Sequence, residues 1–96
     1  MGVSQPARFG EDWSDERVRG FLDRQPADGS NADFHVLMSA YKHMRPHDFE
    51  RLLGFFVAAG RDLNATDSNG HTLLALAREH VQSADFVTLL EQAGAN

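Results

Sequence analysis

The run from Leu63 to Ala77, LNATDSNGHTLLALA, sets a polar turn directly against a leucine-rich segment. Asp67, Ser68 and Asn69 have side chains that fold back on their own backbone, and Gly70 accepts the positive φ of a tight reversal. Thr72 has the hydroxyl of a helix N-cap, and Leu73, Leu74, Leu76 and Ala77 supply the apolar stripe of the helix it starts. The segment therefore predicts a polar, hairpin-like finger whose returning limb runs straight into a helix.

The remaining helices are read from stripes and caps. Ser14 precedes Asp15 and Glu16, acids that complement a helix dipole, and Val18, Phe21 and Leu22 follow at helical spacing until Pro26 closes the segment. Ser30 or Asn31 caps a stripe of Phe34, Leu37, Met38, Tyr41 and Met44, which ends before Pro46. Pro46 opens a third helix whose apolar positions from Phe49 to Ala59 wrap most of its circumference, with Gly60 as its left-handed cap and Gly54 as a mark of close packing. Beyond a break near Gln82, Ser83 caps a last helix striped by Phe86, Leu89, Leu90 and Ala93. The expectation is an all-α domain over 13–96 with helices near 14–24, 31–44, 46–59, 72–80 and 83–92. Residues 1–12, with Pro6 and two glycines, read as a flexible tail.

An internal repeat is also present. Ala59-Gly60 and Ala93-Gly94 each end an apolar helix, and Leu52, Phe55 and Phe56 recur at the same offset as Phe86, Leu89 and Leu90. With Ala59-Gly60-Arg61-Asp62-Leu63-Asn64 and Asp67-Ser68-Asn69-Gly70-His71-Thr72-Leu73-Leu74-Ala75-Leu76-Ala77, the chain resembles an ankyrin repeat. Asp62, Asn64, Asp67, Gly70, Thr72, Leu74 and Ala77 match that pattern in order, while Leu73 and Ala75 replace its proline and histidine. The resemblance covers 46–96 well and 1–45 poorly, so the first helix and the tail are expected to cap a short stack. It implies a non-catalytic protein–protein interaction module, with the finger tip and the adjoining helix face as the binding surface. The chain also resembles a set of short bacterial proteins, which implies no activity.

Function classes are bounded by charge and composition. A formal net charge of −5, with nine basic residues scattered and never in a run, argues against a nucleic-acid backbone as ligand. Without cysteine there is no disulfide and no thiolate metal site, and 42% apolar content is ordinary for a folded chain. No apolar run approaches a membrane span and no leader is evident, so a cytoplasmic location is expected; Pro6 disqualifies a myristoylation signal at Gly2. His43 and His47 have the spacing of two ligands on one helical face, with Asp48 beside them, but Pro46 interrupts that face and a metal needs three or four fixed ligands. His35 reads as a core-edge histidine, Glu79 and His80 do not face each other, and the serines read as caps and turns. Neither a cofactor nor catalysis is expected.

The candidate partner-binding residues are Ser68, Asn69 and His71 at the finger tip, Arg78 on the helix that leaves it, and Trp13 before the first helix. His71 would make attachment sensitive to pH near neutrality. Trp13 divides between stapling its helix and serving as an interface anchor. A self-associating regulatory subunit is the alternative, and a His/Asp metal-binding protein a further one. Gln82, Asp85, Thr88 and Gln92 would give the last helix a polar outer face, which favours a monomer.

Overall fold

The computed structural model describes residues 13–96, and the tail assigned to 1–12 lies outside them. Over the described residues the fold is all-α, with five α-helices: α1 (Asp15–Gly20), α2 (Ala32–His43), α3 (Pro46–Ala58), α4 (Leu73–Ala77) and α5 (Ala84–Ala93). Two 3-10 turns, Phe21–Asp23 and Val81–Ser83, continue α1 and lead into α5. Between α3 and α4 the finger is closed by an isolated antiparallel bridge from Thr66 to Thr72.

Most helix starts obey side-chain capping. Ser14 accepts from the Arg17 N–H, Asn31 from Phe34 and Thr72 from Ala75, each in the first turn of its helix. Asn31, not Ser30, is therefore the cap of α2. Pro46 stands at the first position of α3, where its missing N–H costs nothing. Ser83 breaks the pattern: it makes no capping bond, because its hydroxyl bonds the Tyr41 hydroxyl of α2 and the 3-10 turn leads into α5 in its place. Helix α4 stops at Ala77, earlier than its leucines suggest, as the chain turns toward Val81.

The ends of α3 and α5 are built alike. Gly60, at φ +75°, is followed by Arg61, whose N–H reaches the Phe56 carbonyl, while the Gly60 N–H reaches that of Val57. Thirty-four positions on, the Ala95 N–H reaches Leu90 and the Gly94 N–H reaches Glu91, with Gly94 at φ +113°. Both are Schellman endings, which satisfy carbonyls the helix leaves unpaired.

One face of α3 carries the core. Phe49, Leu52, Leu53 and Phe56 are buried at helical spacing and pack with Leu37 of α2, Leu73 and Leu74 of α4, and Leu90 of α5. The burial is one-sided, however: Val57 is 45% exposed and Ala58 and Ala59 are exposed, so the apolar residues do not wrap the helix. Gly54 is exposed too, and a Cβ there would meet nothing within 4 Å, so it marks no close packing. Helices α1 and α5 both pack on α3, while α4 packs on α5 and α2. Helix α2 in turn packs on α3 and on the 3-10 turn after α1.

Candidate binding surface

The finger is organised by one carboxylate. Asp67 Oδ1 accepts the backbone N–H of both Asn69 and His71 at 2.9 Å. The Asp67 N–H donates to the His71 carbonyl, and the Gly70 N–H donates to the Asp67 carbonyl. Gly70 holds φ +83°, which closes the reversal. The His71 N–H does most to keep the Asp67 carboxyl below its ordinary range, assisted by Asn69 and opposed by partial burial. His71 Nδ1 lies 3.7 Å from Asp67 Oδ2.

The result is a tip whose backbone is held from within. Ser68, Asn69 and His71 are exposed on it together, as expected, and none belongs to the core cluster. Arg78 is placed differently. Its guanidinium donates to Glu91 of α5 at 2.7 Å, so it ties α4 to α5 and is less available to a ligand than the tip residues.

Trp13 stands just before the cap of α1. It is half-buried, packs on Phe21 with ring centroids 5.5 Å apart, and carries the Arg17 guanidinium 3.7 Å from its ring. Its carbonyl accepts from Arg51 Nη1 at 2.6 Å. The residue thus staples the start of α1 and still offers an edge to solvent.

His43, His47 and Asp48 do not converge. Asp48 is buried and accepts from Arg51 at 3.0 Å, whereas His43 is exposed and sets its ring edge-on to Phe21. Among the described residues no group of three or more His, Asp or Glu is placed to hold a metal ion. No helix among them is long and apolar enough to cross a membrane.

Three polar clusters are invisible to motif reading. Arg51 joins Asp15, Asp48 and the Trp13 carbonyl, fastening α1 to α3. Asp33 receives Arg61 Nε at 2.7 Å and the Asp62 N–H at 2.9 Å, while Arg61 also donates to the Leu22 carbonyl. Tyr41 bonds Ser83 and shares a 3.2 Å contact with His80 Nδ1. Each joins residues more than twenty-five positions apart, a separation that leaves no periodic trace.

Comparison with known proteins finds no matching family model, no matching curated protein and no matching solved structure.

Proposed function

We propose that the chain is a non-catalytic, ankyrin-like protein-binding module whose contact surface includes the finger tip at Ser68, Asn69 and His71. The observation that carries this reading is the tip itself. Three exposed polar side chains stand on a backbone fixed by Asp67, so a partner would lose little entropy on ordering them. The matching residues of the repeat pattern have roles consistent with it: Asp67 and Gly70 form the reversal, Thr72 caps α4, and Leu74 and Ala77 are buried. Asn64 accepts the Asn96 N–H at 2.9 Å, linking the two equivalent helix endings. Nothing at the tip supplies a nucleophile and base in hydrogen-bond reach, which is what a catalytic reading would need.

The test replaces Ser68, Asn69 and His71 by Ala together, with Arg78→Ala kept as a separate variant. Each tip change should alter stability by about half a kcal/mol or less, because the side chains are exposed. Capture of binding proteins from the native cell lysate should fall for the triple variant at an unchanged melting temperature. Equal capture by a folded triple variant would reduce the finger to a turn.

A further inference from the structure

A second surface lies along α1, away from the finger. Trp13, Arg17, Gly20, Phe21, Arg24 and His43 line a groove of about 430 Å³, within the size range of side-chain and small-ligand sites. Arg17 lies over the Trp13 ring and Arg24 lies 3.9 Å from the centre of the Phe21 ring. Neither makes an ion pair among the described residues, unlike Arg51, Arg61 and Arg78, which all pair with carboxylates. Glu16 and Asp23 are exposed on the same segment, and neither pairs with Arg17 or Arg24.

A guanidinium lying over a ring is held there by the ring's negative face, and its N–H groups can still meet a bidentate acceptor. Arg17 lies on α1 and Arg24 just beyond the 3-10 turn that continues it, and the two rings they lie over have centroids 5.5 Å apart, so both guanidiniums border the same groove. Gly20 sits between them. Its φ of −58° and ψ of −25° are ordinary helical values, and a Cβ there would meet nothing within 4 Å. Neither backbone conformation nor close packing calls for glycine at this position; what its missing side chain leaves is room on the groove floor.

We propose that this groove binds an acidic segment of a partner protein, with two carboxylates on Arg17 and Arg24 and an apolar side chain lodged over Gly20 beside Phe21. The inference rests on the reading of the chain as a protein-binding module but not on the finger. Nucleic acid fits less well. The guanidiniums already cover the ring faces on which bases would stack, and two cations on a chain of net charge −5 form a pair of sites and no backbone track.

Trp13 is the single tryptophan, so its emission reports on the groove directly. The full chain is titrated with a short peptide of Glu and Leu, with the same peptide carrying Gln for Glu, and with a short single-stranded oligonucleotide, by emission and by heat. Saturable binding of the Glu peptide that weakens with added salt is expected. Arg17→Gln with Arg24→Gln should reduce affinity on the order of tenfold or more. Gly20→Gln should reduce it as well while the melting temperature holds or rises, because Gln fills the floor and favours helix. The proposal is overturned if the parent does not bind the Glu peptide, if the Gln peptide binds as well, if the oligonucleotide binds more tightly, or if Gly20→Gln binds like the parent. Because the finger is untouched in every arm, these outcomes are separate from those of the tip variants.

Discussion

At Gly54 the backbone is helical and a Cβ would meet nothing within 4 Å, whereas Gly70 holds φ +83° at the head of the finger. Opposite responses to substitution follow. Gly54→Ala removes backbone entropy from the unfolded chain and adds a methyl group without a clash, so it should stabilise by about 1 kcal/mol. Gly70→Val forces a β-branched residue into the left-handed region and should cost about 1–2 kcal/mol. Denaturant midpoints of the two variants check both signs. A destabilised Gly54→Ala would mean that a neighbour approaches α3 more closely than the geometry allows. The arginines show a similar contrast: Arg51, Arg61 and Arg78 hold elements together through carboxylates, while Arg17 and Arg24 lie over rings and make no ion pair among the described residues.

Among the elements, the join between α2 and the loop after α3 depends on an ionised Asp33. Burial pushes this carboxyl upward, but the Asp62 N–H and the Arg61 guanidinium outweigh it and leave it below its ordinary range. A carboxyl depressed in the folded state stabilises fully above its unfolded value of about 3.9 and loses that contribution as pH falls through the folded value. Asp67 in the finger carries the same sign. Urea midpoints should therefore change little on account of these groups from neutrality to about pH 5, then fall below about pH 4. Asp33→Asn should be weaker at neutral pH and show a shallower acid decline; an unchanged acid decline would remove Asp33 from the account. The sequence makes the helices legible because caps and stripes are local, and Ser14, Asn31, Thr72 and Pro46 all act where their chemistry points. Ser83 misleads because a hydroxyl can bond a distant tyrosine as readily as its own helix, and only the packed fold brings Tyr41 beside it. The finger tip was legible for the same local reason, whereas the ring–guanidinium groove is completed only when the turn after α1 packs on α2 and sets Phe21 beside His43.

For the whole molecule, the question is whether the N-terminal helix shares one cooperative unit with the repeat-like half. Val18 and Phe21 belong to the same buried cluster as Leu37, Phe49, Phe56, Leu74 and Leu90, and Arg51 bonds Asp15 and the Trp13 carbonyl from α3. Phe86 of α5 meets Phe49 of α3 and Tyr41 of α2 edge-on, each with centroids 5.1 Å apart. With no layer of the core closed on itself, unfolding should be a single transition. A chain of this length has roughly 5–15 kcal/mol of stability, and emptying the fully buried Phe49 site with Ala should cost about 3–5 kcal/mol. At ~4–8 °C per kcal/mol, that is a fall of roughly 12–40 °C in melting temperature. Trp13 emission and helical ellipticity should move together in the parent, and together at the lower temperature in Phe49→Ala. If Trp13 were released well below the loss of helix, α1 would be a separately docked cap, and the groove it carries would open and close independently of the core.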